Sequence, residues 1–438
     1  MRSLMDGQGA NYAQPTALVA EAVSGEEEIP GGVVAVILGG ETDILSHVAV
    51  RARDAGVLFA TCYDSQVMEQ LKALRGRLLS FSVNSDGEVV FQEATAAASA
   101  PAPRAAISTA GLVRPRFKAY AIPASEFNER VVGGKSCNQM RLHGKLPDWV
   151  RQPASVAIPF GVCEQVLELQ ENAPLRQRFE QLVSSVESGP PKILSQLRQT
   201  LQQLTAPSEL PATLRQVMQS ARLPAPEPWD DAWQCIKRVW ASKWNERAWL
   251  SRQAHGIRHD DLFMAVLIQQ VVEADYAYVI HTVNPSTGDR GELYAEVVLG
   301  LGETLVGNYP GRALSFVSSK ETLQSKLIAY PSKSIGLYGG GLIFRSDSNG
   351  EDLPGYAGAG LYDSVMLKPP RDAELDYSQE RLVWDENFRE ELMRCIAKIG
   401  VAVENAFGSP QDIEGAIAHG EYYVVQSRDQ ATDAATPA

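Results

Sequence analysis

This 438-residue sequence has few cysteines, no long apolar run and no excess of positive charge. Its five cysteines are scattered without CxxC spacing, which indicates neither a zinc cage nor a disulfide framework and favours a reducing compartment. No apolar run approaches the length of a membrane-spanning helix, so we expect no membrane partner. The cysteines are Cys62, Cys137, Cys163, Cys235 and Cys395.

The charge balance is acidic, with a formal net charge of −13 at pH 7 and a sequence pI of about 5.1. This excess of carboxylates argues against a nucleic-acid partner, because such proteins neutralise the phosphate backbone with Lys and Arg. The negative net charge would not hinder the binding of an uncharged polymer. The first thirty residues contain Arg2 as their only basic residue and no apolar core, so no secretory signal or transit peptide is visible.

The length predicts two or three compact units. Alternating strand and helix patterns indicate an α/β domain within residues 1–93, and residues 94–113 are an Ala/Pro-rich linker. Such a linker spans about 25 Å root-mean-square and about 65 Å fully extended, so that one domain could travel between two sites. Residues 114–438 then form a larger domain, mainly helical at about 164–244.

His47 is the strongest candidate for a reactive residue. The apolar, β-branched run at 31–38 predicts a strand that ends at the turn pair Gly39-Gly40, and this places His47 near the start of the following helix. Helix N-termini stabilise anions, and imidazole is a competent nucleophile near neutral pH. Arg51, four residues on, shares the helical face of His47, whereas Arg53 is rotated away from it. The pattern predicts a phosphate carrier.

Two glycine-rich segments of the larger domain have the composition of phosphate-binding loops. The tripeptide at 133–135 lets the backbone approach phosphate oxygens while a lysine adds charge, although alone it is most often a simple turn. The segment at 344–360 is the stronger signal, because it follows a strand and combines an arginine, small hydroxyls and four glycines. The residues expected at the phosphates are Lys135, Arg345, Ser346, Gly355 and Gly358.

Two strands near the C-terminus, facing each other across Gly420, carry candidate metal ligands. Glu414 and Gln426 supply the hard oxygen ligands that Mg²⁺ takes together with substrate phosphates. Arg428 lies two residues beyond Gln426 and therefore on the same face of its strand. Solvated surface residues are the alternative for this hairpin.

The segment around His47 resembles the phosphohistidine domains of dikinases such as pyruvate phosphate dikinase and phosphoenolpyruvate synthase. It contains Gly-Gly followed by Ser-His-x-Ala-x-x-Ala-Arg, and the resemblance implies that His47 accepts phosphate and Arg53 binds it. The spacing from Gly40 to His47 is longer than in the small-molecule enzymes. In this respect the segment resembles the starch branch, the alpha-glucan, water dikinases.

The larger domain resembles the ATP-grasp nucleotide domain of the same enzymes. The resemblance implies that Lys135 and Arg345 contact ATP phosphates, that Glu414 and Gln426 hold Mg²⁺, and that Arg428 assists transfer. Further candidates carried by matching elements are Arg247 and Glu303. The implied fold class is α/β multidomain: a phosphohistidine swivelling β/β/α domain followed by an ATP-grasp nucleotide-binding domain with a helical insert. The carrier domain is N-terminal here, and the Arg345 loop follows the Glu303 motif, as in the starch branch.

The resemblance implies a dikinase that passes the ATP β-phosphate through His47 to a glucosyl unit of alpha-glucan and the γ-phosphate to water. Its alternatives are a dikinase for a small acceptor such as pyruvate and a non-catalytic ATP-binding fragment. It further implies the plastid, so either a targeting part is missing or the chain is a C-terminal portion of a longer one; otherwise a cytoplasmic location is expected. The glucose position, C6 or C3, and the oligomeric state stay open.

Overall fold

The structure is a computed structural model that describes residues 12–84, 88–95, 114–350, 358 and 360–430. Gly355, residues 85–87 and residues 96–113 of the predicted linker lie outside the described residues.

The described residues up to 95 form a small α/β unit, called here the N-terminal unit. Strands β1, β2 and β3 form a parallel sheet in that order, and β4 pairs with β5 in a hairpin. The elements are β1 Thr16–Ala20, β2 Val33–Leu38, α1 His47–Asp54, β3 Leu58–Thr61, α2 Ser65–Ala73, β4 Leu79–Val83 and β5 Val89–Glu93. The strand predicted at 31–38 corresponds to β2, which begins two residues later, and the helix predicted to start near His47 corresponds to α1.

Packing on both faces explains why β2 is almost continuously apolar. One face of the parallel sheet packs with Val36 against Val48 of α1, and the other packs with Ile37 against Met68 of α2. Buried parallel strands need apolar side chains on both faces, which the sequence VVAVIL provides. The position of α1, and so of His47, is fixed by this core.

The residues from 114 onward form two larger sheets with helices, called here the C-terminal part. Its first half contains β6 Ile122–Pro123, α3 Gly134–Leu142, β7 Val150–Arg151, β8 Ser155–Ile158, α4 Val162–Leu167, α5 Ala173–Ser184, α6 Pro190–Gln202, α7 Glu209–Ser220, α8 Trp229–Ser242 and α9 Glu246–Ala254. The predicted helical region at 164–244 therefore corresponds to α4–α8, interrupted near the prolines that the sequence shows there.

The second half supplies most of the strands. It contains β9 Met264–Val271, β10 Tyr276–His281, β11 Glu292–Leu299, α10 Glu303–Val306, β12 Leu314–Ser319, β13 Ser325–Ala329, β14 Ile335–Tyr338, β15 Gly341–Ser348, β16 Ser364–Met366, β17 Arg371–Glu374, α11 Arg381–Trp384, α12 Glu386–Phe407, β18 Gln411–Ala418 and β19 Glu421–Asp429. The long helix α12 begins after Asp385, which accepts from the Phe388 N–H, and ends at Gly408 with a φ of 74°.

Two sheets organise the C-terminal part. A seven-stranded sheet has the order β13-β12-β11-β10-β18-β19-β7, and a five-stranded sheet has the order β16-β15-β9-β8-β6. Helix α12 packs on one face of the seven-stranded sheet, while the α4–α9 region packs on the five-stranded sheet. The opposite face of the seven-stranded sheet receives Leu45 of the N-terminal unit. No helix in the described ranges is long and apolar enough to cross a membrane.

The four tryptophans of the α8–α9 region belong to the core, as their helical spacing predicts. Trp233, Trp240, Trp244 and Trp249 are 6%, 1%, 2% and 3% exposed. Trp384 differs from them, since 71% of it is exposed.

This contrast gives a stability prediction. We expect Trp240→Ala to lower the free energy of unfolding by about 3–5 kcal/mol, because it leaves a cavity beside Trp233. Trp384→Ala makes the same chemical change on the surface and should cost about 0.5 kcal/mol or less. Urea unfolding followed by far-UV circular dichroism measures both. Equal urea midpoints for the two variants would contradict the assignment of Trp240 to the core.

Candidate functional site

His47 is the first residue of α1 and is partly buried. The unpaired backbone N–H groups of the first helical turn lie beside it, where they favour negative charge. Desolvation, followed by the charges of Arg428 and Arg51, lowers the pKa of His47 well below its usual value. The imidazole is therefore neutral at pH 7 and has a lone pair available for nucleophilic attack.

Gly360 lies directly against the ring. A Cβ atom at this position would be 2.7 Å from Nδ1 of His47 and 2.9 Å from Nη1 of Arg51, and the Gly360 backbone has a φ of +66°. Both the space and the conformation require glycine. The Gly360 backbone therefore packs against the Nδ1 side of the imidazole. Gly358, one of the predicted phosphate residues, is buried in the same loop.

Most of the contacts of the Arg51 guanidinium are with the N-terminal unit itself. Its Nη2 donates to the carbonyl oxygens of Gly25 at 2.8 Å and Glu27 at 2.7 Å, and its Nε lies 3.2 Å from Oε2 of Glu28. The guanidinium therefore holds the loop at 25–28 beside α1. Arg51 lies close to His47 because both residues share one face of the helix. Much of the hydrogen-bonding capacity of Arg51 is already used by the loop at 25–28.

Arg53 reaches toward the C-terminal part. Its Nη2 donates to the Ile44 carbonyl at 3.0 Å. Desolvation lowers the pKa of Arg53, and the neighbouring carboxylates of Glu296 and Asp412 are among the groups that oppose this shift. The residue that helical geometry rotates away from His47 is thus the one that faces the other part of the chain.

One face of the seven-stranded sheet carries two rows of side chains across β11, β10, β18 and β19. Directly paired residues on neighbouring strands share a face, and so do residues two apart along one strand. The first row is Tyr294, His281, Asp412 and Arg428. The second row is Glu296, Val279, Glu414 and Gln426.

An ion pair dominates the first row. Arg428 donates through Nε to Oδ2 of Asp412 at 2.9 Å, and its Nη2 lies 2.5 Å from the same oxygen. Nε2 of His281 is 3.5 Å from the other carboxylate oxygen. Burial alone would raise the pKa of Asp412, but Arg428 and His281 hold it well below its usual range. Burial lowers the pKa of His281.

Lys135 lies at the start of α3 and is positioned by Asp347. The buried Asp347 carboxylate accepts from the N–H groups of Gly133 at 2.9 Å and Lys135 at 3.0 Å, and from the Ser136 hydroxyl at 2.6 Å. A Cβ atom at Gly133 would be 2.6 Å from Asp347 Oδ1, so this glycine permits the contact. The Lys135 ammonium donates to the Ser346 carbonyl at 2.8 Å. Desolvation raises the pKa of Asp347.

Arg345, Glu414 and Gln426 meet between the two large sheets. Nη2 of Arg345 donates to Oε2 of Glu414 at 2.9 Å, and Nε2 of Gln426 donates to the other oxygen at 3.2 Å. The Gln426 carbonyl oxygen is buried and has no hydrogen-bond partner. An unsatisfied amide oxygen beside a carboxylate suits a hard cation such as Mg²⁺. Within the described ranges, however, no three His, Cys, Asp or Glu side chains converge at metal-binding distance.

Arg247 and Glu303 lie beside this group. Arg247 contacts Asp363 at 2.5 Å and Glu26 of the N-terminal unit at 3.5 Å. Desolvation and the neighbouring carboxylates of Glu414 and Glu26 raise the pKa of Glu303 to about 7, although the residue is exposed at the surface. Carboxylates crowded in this way favour the binding of a proton or a cation.

The two parts of the chain meet at Glu296. Its carboxylate accepts from the backbone N–H groups of Ile44 and Leu45, both at 3.0 Å, and from the Tyr294 hydroxyl at 3.0 Å. Desolvation and the nearby Asp43 raise the pKa of Glu296 to about 8. The N–H groups just before His47 are therefore bound to the sheet face that carries Asp412 and Glu414.

The arrangement places a neutral nucleophile at the edge of a cationic site. The positive charges of Lys135 and Arg428 lower the pKa of His47. Those of Arg345 and Arg247 lower the pKa of Glu303. These four cations therefore lie near the two titrating side chains. Such a site can hold a polyphosphate and direct one phosphorus atom at the imidazole. The predicted residues His47, Lys135, Arg345, Glu414, Gln426 and Arg428 all contribute side chains to this region.

Three residues of the site were not among the candidates identified from the sequence. Asp347 lies within the predicted phosphate loop but acts on the helix start at 133–136, more than 200 residues away in sequence. Asp412 occupies the strand position before Glu414 on the same face, and alternation along β18 could have identified it. His281 is a single polar residue at the end of an apolar strand, a pattern that is usual in cores.

Two domain families match parts of the chain. Residues 1–100 match the alpha-glucan water dikinase, phosphohistidine-like domain. Residues 228–333 match the pyruvate phosphate dikinase, AMP/ATP-binding domain. The first match contains His47 with Arg51 and Arg53, and the second contains Arg247 and Glu303.

Curated relatives match over almost the entire chain. The chloroplastic alpha-glucan water dikinase of Solanum tuberosum is 47% identical over 98% of this chain, and alpha-glucan water dikinase 1 of Arabidopsis thaliana is 48% identical over 98%. This chain spans only 30% and 31% of these relatives. Phosphoenolpyruvate synthase of Pyrococcus furiosus is 28% identical over 45% of this chain and 22% of its own length. Almost the whole chain is therefore similar to part of the alpha-glucan water dikinases.

Proposed function

We propose that this chain carries out the phosphotransfer chemistry of an alpha-glucan, water dikinase, with His47 as the phosphate carrier. The observation that carries the proposal is the position of His47: a neutral imidazole at a helix start, flanked by Arg51, Arg428 and Lys135. Its domains would be a phosphohistidine swivelling domain at 1–93, a linker at 94–113 and an ATP-grasp nucleotide-binding domain at 114–438.

The reaction divides into three transfers. Nε2 of His47 attacks the β-phosphorus of ATP, an N–P bond forms, the Pα–O–Pβ bridge breaks on the β side, and AMP leaves. Water then attacks the γ-phosphorus and releases inorganic phosphate, which leaves a phosphohistidine. Finally a glucosyl hydroxyl attacks the remaining phosphorus, loses its proton, and frees the imidazole. A covalent carrier thus joins two substrates that need not meet.

The protein contributes mainly position and charge to these steps. Lys135, Arg345 and Ser346 would bind the phosphates, with Arg247, Gly355, Gly358 and Glu303 lining the same site. Arg428, held by Asp412, would stabilise charge that develops during transfer, and Arg53 would bind the phosphate on His47. Phosphoryl transfer requires little covalent work from an enzyme, so preorganised donors account for most of its catalysis.

Mg²⁺ fits the residues that are present. Glu414 and Gln426 would hold the ion, and the unpartnered Gln426 carbonyl oxygen supports this assignment. The ion would neutralise phosphate charge and orient the nucleotide. Arg345 would shift from Glu414 to the phosphates when the nucleotide and metal bind, because its present partner is the proposed metal ligand.

The proposed acceptor is alpha-glucan, and the proposed location is the chloroplast. The relatives whose names state both are 46–48% identical to this chain over 98% of it, whereas the phosphoenolpyruvate synthases match less than half of it. This difference favours a glucosyl acceptor over pyruvate. A linker at 94–113 would let the loaded carrier leave the nucleotide.

The central test follows the β-phosphate. We expect label from β-³²P-ATP to appear on the protein as an acid-labile, base-stable adduct at His47, and then on soluble glucan but not on pyruvate. His47→Ala should abolish both, because it removes the imidazole that forms the adduct. Peptide mapping and product analysis provide the measurement. Label on pyruvate would favour the small-acceptor alternative, and equal uptake by His47→Ala would favour a non-catalytic fragment.

The lowered pKa of His47 predicts an unusual pH profile. A free histidine, with a pKa of about 6.5, is half protonated at pH 6.5, and its rate of attack would be halved there. With its pKa depressed, His47 should retain well over half of its pH 8 rate of label uptake at pH 6.5, measured by rapid quench at saturating ATP. Glu303→Gln, run in parallel, removes a neighbouring group whose pKa is about 7. A half-maximal rate at pH 6.5 in both proteins would refute the prediction.

Metal dependence should respond to Glu414. Replacing it by Gln removes one charged ligand, and we expect the Mg²⁺ concentration for half-maximal uptake to rise about tenfold or more. Glu421→Gln, at the far end of the same hairpin, is the matched control and should leave it unchanged. Mn²⁺ binding measured by electron paramagnetic resonance reports the same effect without turnover. Identical metal affinities in the two variants would rule out Glu414 as a ligand.

A further inference from the structure

The segment between Gly40 and α1 lies against the C-terminal part and has no regular structure. In the structure these residues are not a passive spacer. They form a docking segment, defined here as residues 41–46, whose contacts extend to residues 296–333.

Asp43 is the centre of the docking segment. Its side chain is only 2% exposed, lies 2.5 Å from the Lys333 ammonium, and accepts from the Ala313 N–H at 2.8 Å. The Asp43 N–H donates to Oδ1 of Asn308 at 3.1 Å. Every one of these partners belongs to the C-terminal part, so Asp43 is held from three directions.

Lys333 and Asn308 also make further hydrogen bonds at this contact. The Lys333 side chain is 1% exposed, and its ammonium also donates to the Tyr309 carbonyl. Asn308 adopts a positive φ of 53° and donates through Nδ2 to the Val23 carbonyl of the N-terminal unit at 2.7 Å. At the rim, Glu41 contacts Arg312 at 3.3 Å and accepts from the Ser332 hydroxyl at 3.0 Å.

The position of Asp43 determines that of His47. Only three residues separate them, and the Asp43 carbonyl accepts from the Ser46 hydroxyl at 2.8 Å and from the Ser46 N–H at 3.2 Å. This turn connects the buried carboxylate directly to the first residue of α1. A shift of Asp43 relative to Lys333 is therefore transmitted to the imidazole.

A buried ion pair across two separable surfaces has a particular energetic character. Desolvation of both charges offsets much of their attraction, so the pair adds little net affinity but strongly penalises any position in which one charge is buried alone. It defines one register and can still be broken, because both groups regain water on separation. These are the requirements of a contact that forms and dissolves in every reaction cycle.

We propose that Asp43 and Lys333 are positioning residues that set His47 at the nucleotide for phosphate uptake and that separate before phosphate delivery. The proposal rests on the proposed function of His47 as carrier and goes beyond it, because it assigns the docking of the carrier to a specific buried pair. The pair acts through geometry, since neither side chain needs to touch the substrate.

The experiment compares Asp43→Asn, Lys333→Met and the double variant with the parent chain. Glu69→Gln is the matched control, because it removes a carboxylate from the exposed Glu69–Lys72 pair on α2 of the same unit. Three quantities are measured: ATP affinity, the single-turnover rate of label uptake from β-³²P-ATP, and the rate at which protein loaded beforehand and freed of nucleotide transfers label to soluble glucan.

We expect each single variant to take up label about tenfold more slowly or worse, since a displacement near 1 Å can cost this much. ATP affinity should stay unchanged, and delivery from loaded protein should stay equal or become faster, because docking competes with delivery. The double variant should recover part of the uptake rate, since it leaves no uncompensated buried charge. Glu69→Gln should match the parent chain.

The outcomes separate this proposal from the proposed function. If the parent chain takes up no label at His47, the carrier function fails. If the parent is labelled and Asp43→Asn is labelled at the same rate, the docking proposal alone is overturned. It is likewise overturned if uptake, ATP affinity and delivery all fall together in Asp43→Asn, which would indicate general loss of structure, or if the double variant is no better than the worse single one.

Discussion

The site depends on keeping an uncharged imidazole among cations. After desolvation, Arg428, Arg51 and Lys135 all lower the pKa of His47, so the ring stays neutral in a positive field. Unopposed, these cations would repel one another, and each therefore has acceptors of its own: Arg428 has Asp412, Arg51 has Glu28, and Lys135 has the Ser346 carbonyl. The site is thus preorganised for phosphate charge without a large net charge.

Strand alternation explains how so many polar groups share one region of a well-packed protein. On β18, Ile413 points into the core beneath α12, while its neighbours Asp412 and Glu414 point to the opposite face. The same alternation occurs on β10, where Tyr278 and Ile280 belong to the core on the α12 side and His281 lies on the opposite face. Apolar side chains stabilise the sheet from below, so the upper face is free to carry charged groups that would be costly in a core.

Local patterns predicted the elements around His47 and the short motifs of the phosphate site, because turns, strand alternation and glycine-rich loops are local signals. The partners of these residues could not be predicted in the same way. Asp43 and Ala313 are 270 residues apart, and Lys135 and Asp347 are 212 apart. Such pairs are set by tertiary packing. Helical geometry likewise placed Arg51 beside His47 but gave no sign that Gly25 and Glu27 would occupy its guanidinium.

Reversible docking of the N-terminal unit, as proposed above, would place two opposing requirements on its contact with the sheet face. A largely apolar contact would hold the unit firmly, since burial of apolar area is favourable and undirected, and the unit could not leave readily. A fully hydrated contact would leave its orientation undefined. The structure combines the apolar side chains of Ile44 and Leu45 with the buried groups Asp43, Lys333 and Glu296. Because desolvation offsets their attraction, these groups contribute direction more than strength, which is what reversible positioning of a reactive ring requires.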